Sequence, residues 1–74
     1  MKTYKVELSI LDQGAVLSVN ESRHDKYLSA FNRAKLVASE YAKRYGFDVK
    51  PITGGFFLVQ DQNGRTLAQT AVRS

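Results

Sequence analysis

His24 stands beside Asp25 in the stretch NESRHD and is the only imidazole in the chain. A histidine next to a carboxylate has the composition of a general base and the group that orients it. A hydrolytic site also needs a nucleophile within reach, and adjacent residues in a polar turn usually both face water. The pair therefore reads as a turn ahead of a helix. The carboxylates Glu7, Asp12, Glu21, Asp25, Glu40, Asp48 and Asp61 are scattered, with no paired acid–base spacing, and Asp12 and Asp61 have the look of turn residues. Cysteine is absent, which removes thiolate chemistry, disulfides and cysteine-ligated metals, and a histidine site would need carboxylate partners. The segments TGG and NG are too short to cradle a phosphate as a P-loop does. The residues with reactive chemistry thus point away from an enzyme, and no cofactor or metal is expected.

Charge offers a different chemistry. The net charge is +4, and it is unevenly placed. Residues 1–22 carry two basic and three acidic side chains, residues 23–45 carry six and two, and residues 46–74 carry three and two. The surplus falls on the stretch SAFNRAKLVASEYAKRYG, where a local field would steer an anionic partner. With residues about 100° apart on a helix, Lys26, Arg33 and Arg44 lie within about 20° of one another on one flank. Lys35 and Ser39 lie on the opposite flank, Lys43 and Asn32 point outward, and Leu36 is opposite the apolar stripe. Arg33, Lys35, Lys43, Arg44 and, beyond the helix, Arg65 are the candidate partner-binding residues. A solvated basic helix face, with Lys and Arg stems covering apolar edges, accounts for the same pattern without a ligand.

The elements that must position these side chains are legible from periodicity. TYKVELSIL alternates Tyr4, Val6, Leu8 and Ile10 against Lys5, Glu7 and Ser9, the pattern of a half-buried strand. DQG then leads into AVLSVNES, which predicts strands at about 3–11 and 15–21 joined by a turn closed by Gly14 in a left-handed conformation. Ser22 or Asp25 is placed to cap the following helix. Tyr27, Phe31, Ala34, Ala38, Tyr41 and Tyr45 recur at spacings of 4 and 3, predicting one apolar stripe with alanines at its centre and aromatics at its ends. Gly46 terminates the helix, with Lys43 and Arg44 near its negative end.

FDVKPI reads as a short strand lying at an edge because Pro51 has no N–H to donate. TGG turns the chain into FFLVQD. Asn63-Gly64 predicts a two-residue type I′ hairpin into RTLAQTAV. The order is β-β-α-β-β-β, an α+β domain of residues 1–74 with one helix packed on an antiparallel sheet. In the fourth strand Phe56 and Leu58 face one way and Phe57 and Val59 the other. One of these pairs must meet the helix. The other is left uncovered unless the sheet curls so that its rim and loops cover it or a second chain does, since aromatics on an open face anchor partners.

At 74 residues, 43% of them hydrophobic, the chain is near the lower size limit for an unstapled core and is too apolar for disorder. No apolar run approaches the roughly 20 residues needed to span a bilayer. The N-terminus lacks the continuous apolar segment of a signal peptide. A cysteine-free chain of this kind suits the reducing cytoplasm, and no membrane partner is expected.

The run from RAKLVASEYAKRYG through GGFFLVQDQNGRTLA resembles the back half of very small phage-encoded anti-CRISPR proteins that inhibit type I-F systems. The matching residues are Ala34, Lys35, Ala38 and Ser39, then Gly55, Leu58, Gly64 and Arg65. Glu40 and the full hairpin before the helix depart from that pattern. The resemblance implies a non-enzymatic inhibitor in the host cytoplasm. Such proteins bind the backbone subunits of the RNA-guided surveillance complex and obstruct target DNA. The residues by themselves leave two further readings: a small nucleic-acid-binding accessory protein that uses its basic helix face on phosphates, and a homodimer.

Overall fold

A computed structural model of the chain describes residues 2–12 and 15–74. The elements run β1 (Tyr4–Asp12), β2 (Ala15–His24), α1 (Tyr27–Tyr45), β3 (Asp48–Ile52), β4 (Phe56–Gln60) and β5 (Thr66–Arg73). All strand pairs are antiparallel, and the sheet order is β2-β1-β5-β4-β3. The protein is therefore the α+β domain expected from its periodicities, one helix on a five-stranded sheet. The first and last strands in sequence meet at the centre of the sheet.

Register sorts every strand into two faces. One row runs Val19–Leu8–Thr70–Phe57–Pro51 across all five strands, and the next runs Leu17–Ile10–Ala68–Val59–Val49. These rows face the helix. Val6, Leu8, Phe57, Val59, Ala68 and Val72 pack there against Ala30, Ala34, Val37, Ala38 and Ala42 to form the core.

The helix phase follows the predicted stripe, with Ala34 and Ala38 fully buried, but the buried band is wider than the stripe. Ala30, Val37 and Ala42 flank it, while Tyr27 and Tyr45, in phase at the two ends, are 44% and 53% exposed. Small side chains let the helix axis settle close to the sheet, and the terminal aromatics close the gaps at its ends. Tyr4, Tyr27, Phe31 and Phe57 form a chain of ring contacts with centroids 5.3–6.2 Å apart at one end. Tyr41, Tyr45 and Phe47 do the same at the other.

Gly46 ends α1 in the left-handed region, φ 72°, and its N–H donates to the carbonyl of Ala42. Pro51 lies on β3, an edge strand, as its missing donor requires. The expected helix cap and the end of β2 are corrected. Neither Ser22 nor Asp25 caps α1. Strand β2 continues through His24, the N-cap position is Lys26 with no side-chain cap bond, and Ser22 Oγ is instead 2.8 Å from His24 Nε2.

The β4–β5 connection is not a two-residue type I′ turn. The strands stop at Gln60 and Thr66. The N–H of Gly64 donates to the Asp61 carbonyl, and the N–H of Asp61 donates to the Arg65 carbonyl. The Asp61 carboxylate accepts from the backbone N–H groups of Asn63 and Arg65, so an Asx-type interaction widens the turn around Gln62 and Asn63. Gly64 does have the positive φ expected of it, 80°. In the β1–β2 connection Asp12 pairs with Ala15, and the predicted turn at Gln13 and Gly14 lies outside the described residues. No described helix is long and apolar enough to cross a membrane.

Candidate functional site

His24 does not sit in a turn beside Asp25 as a base and its orienter. It lies on β2 opposite Tyr4 with its ring against Ser22, an arrangement that lacks an orienting carboxylate on the imidazole. Among the described residues no three of His, Asp and Glu gather into a metal-binding group.

The five basic candidates do not converge. Arg33 and Arg44 share one flank of α1, where they line a small groove of about 150 Å³ with Glu21, Glu40, Leu8, Val37 and Tyr41. Two carboxylates therefore accompany that pair of cations. Lys35 is on the other flank, at the rim of a groove of about 300 Å³ between α1 and β3 whose walls are Phe31, Val49, Pro51 and Phe57, with Ser39 beside it. Lys43 is exposed in the last turn of the helix, and Arg65 is exposed at the β4–β5 turn. Leu36 is 45% exposed, on the outer side of the helix. Only Arg33 and Arg44 are brought together.

The face of the sheet away from the helix has a different character. Lys5 pairs with Arg23 on β2 and with Arg73 on β5, and each of the three alternates with helix-facing neighbours. Three cations therefore stand in one row across three adjacent strands, a span of about 10 Å at ordinary strand spacing. Like charges directly opposite one another across a sheet are destabilising, and a single carboxylate offsets them. Arg73 Nε donates to Glu7 Oε2 at 2.9 Å, the one ion pair among the described residues.

Next to this row the same face is apolar. Phe56 pairs with Ile52 and Leu58 with Lys50, and Phe56 and Leu58 are half-buried while Ile52 is 43% exposed. A polar strip of Ser18, Ser9 and Gln69 continues the Leu58 row, with the two serine hydroxyls 3.2 Å apart. The open face holding Phe56 is foreseeable from the alternation in FFLVQ, with Phe57 and Val59 the pair that meets the helix. The cation row is not foreseeable, because Lys5, Arg23 and Arg73 are distant in sequence and only register unites them. The one local signal is that Lys5 occupies the polar parity of the first strand. Comparison with protein-family models, with curated proteins and with solved structures finds no match to this chain.

Proposed function

We propose that this protein acts by binding rather than catalysis, docking the helix-free face of its sheet on an acidic surface of a larger host assembly and blocking it sterically. The specific role carried by the anti-CRISPR resemblance, occlusion of an RNA-guided surveillance complex so that target DNA cannot enter, is the form of this reading we adopt. One observation supports it above the others. A row of Arg23, Lys5 and Arg73 borders an apolar patch of Phe56, Leu58 and Ile52 on one face. An apolar centre with a charged margin is the anatomy of a specific protein interface.

The second reading is direct contact with nucleic acid, favoured by the same row, since cations beside an aromatic side chain also suit a single strand. Pull-down from a host lysate with and without nuclease separates the two. A protein partner retained after nuclease supports the inhibitor reading, and loss of every partner supports the nucleic-acid one. Charge reversal then locates the surface. Lys5→Glu with Arg23→Glu abolishes capture while leaving the fold intact, because the 5–23 pair stays like-charged as it is now while the glutamate at position 5 meets Arg73 as an opposite charge. Arg33→Glu with Lys35→Glu, on the two flanks of the helix, leaves capture unchanged. The opposite pattern would transfer the binding role to the helix.

A further inference from the structure

The two edges of the sheet are built differently. Strand β3 is five residues long and carries Asp48, Lys50 and Pro51, the charges and missing donor that protect an edge from pairing with another chain. Strand β2 is twice that length, with ten residues and no proline. Its segment Val16–Asn20 has no charged residue. Among the described residues β1 is the one strand that pairs with β2, so the outer N–H and C=O groups of this segment face away from the sheet.

Its side chains are also apolar on both faces. Val16 is 63% exposed on the helix-free face, and Leu17 and Val19 are 62% and 43% exposed on the other. Leu11, which pairs with Val16, is 40% exposed. A stretch of edge strand that is apolar on both faces and carries no charge or proline is a template for pairing with another chain.

We infer that β2 is a self-recognition edge, along which two copies of this chain pair antiparallel through Val16–Asn20 about a two-fold axis at Ser18, joining their sheets into one. A second copy fits because the segment is self-complementary. With the axis at Ser18, Leu17 of each copy lies opposite Val19 of the other, and the four side chains form one apolar cluster on the helix side. On the other face Val16 lies opposite Asn20, and Ser18 opposite its own counterpart. Isologous contact of this kind is the commonest closed symmetry. Each copy carries +4, yet no charge lies within the paired segment, so no like charges meet. A bulge fixes where the pairing ends. Val6 pairs with Ser22 and Glu7 with Asn20, leaving Glu21 as the extra residue that bends the strand.

Sedimentation equilibrium of the full chain over a concentration series tests this. The wild type reaches twice the chain mass, and Leu17→Lys with Val19→Lys remains a monomer with an unchanged circular dichroism spectrum. Ile52→Lys, on the protected β3 edge, still dimerises. A wild type that stays monomeric throughout, or a dimer that persists in the folded Leu17→Lys, Val19→Lys variant, overturns the inference. If that variant does not fold, Ser18→Cys decides the matter, because the chain has no other cysteine. Mild oxidation links Ser18→Cys into a covalent dimer and leaves Lys50→Cys unlinked. Failure of Ser18→Cys to link faster than Lys50→Cys refutes the pairing.

Discussion

Two residues pin the helix to the sheet. Ala34 is fully buried, and its carbonyl accepts a hydrogen bond from Thr70 Oγ1 at 2.9 Å. Thr70, also fully buried, sits between Leu8 and Phe57 in the central row. Replacing Thr70 with Val keeps the shape and removes the donor. The Ala34 carbonyl keeps its acceptor role within the helix, so the cost is that of one net hydrogen bond, about 0.5–1.5 kcal/mol. Chemical denaturation measures it. A variant as stable as the wild type would mean that the bond contributes nothing. Ala34→Leu or Ala38→Leu forces extra methyl groups into a closed contact and destabilises by about 1–3 kcal/mol. Leu36→Ser, on the exposed side, stays within about 0.5 kcal/mol of the wild type. If thermal melts ranked Leu36→Ser as the most damaging of the three, the helical phase would be wrong.

Two glycine turns bound β4, and they differ in what surrounds them. Gly55 has φ +83°, and a Cβ there would lie 3.0 Å from Tyr27 Oη and 3.1 Å from Val72 Cγ2. Gly64 has φ +80° with nothing within 4 Å of where a Cβ would stand. Gly64→Ala therefore carries the left-handed backbone cost alone, roughly 1–2 kcal/mol. Gly55→Ala carries that cost and also displaces the buried Val72 and the tyrosine that packs on Tyr4 and Phe31. The melting temperature should fall further for Gly55→Ala than for Gly64→Ala. Equal losses would show that the Tyr27 contact yields freely. The β4–β5 hairpin itself keeps its register in Gly64→Ala, because Asp61 holds the turn through two backbone donors.

For the molecule as a whole, the helix covers one sheet face and leaves the other to its own side chains. The cation row on that face makes ionic strength a diagnostic. Binding of a single-stranded oligonucleotide through Arg23, Lys5 and Arg73 would weaken log-linearly with salt, with a slope of roughly −2 for three phosphates, since counterions are released from each. Association with a protein surface anchored by Phe56 and Leu58 responds more shallowly and is lost in Phe56→Ser. A steep slope that Phe56→Ser leaves unchanged would favour the phosphate reading.

Much of this protein is legible in the chemistry of short segments. Period-2 alternation in TYKVELSIL sets the two faces of β1. The 4,3 spacing from Tyr27 to Tyr45 sets the helix and its phase, and Gly46 sets its end. Pro51 marks an edge strand, and the alternation in FFLVQ leaves one apolar pair for the face away from the helix. These signals act within a few residues, where backbone geometry alone relates one side chain to the next. A cap at Ser22 does not form because pairing with β1 draws β2 on to His24, and Asp25 does not cap because the helix starts one residue later, with Lys26 at the N-cap. The type I′ turn does not form because the Asp61 carboxylate captures two backbone N–H groups and widens the loop. The meeting of β1 with β5 is long-range. It alone places Lys5 beside Arg73 and leaves β2 at the edge with its apolar side chains exposed. No periodicity encodes such pairings, because they follow from which buried surfaces fit together once the whole chain has folded.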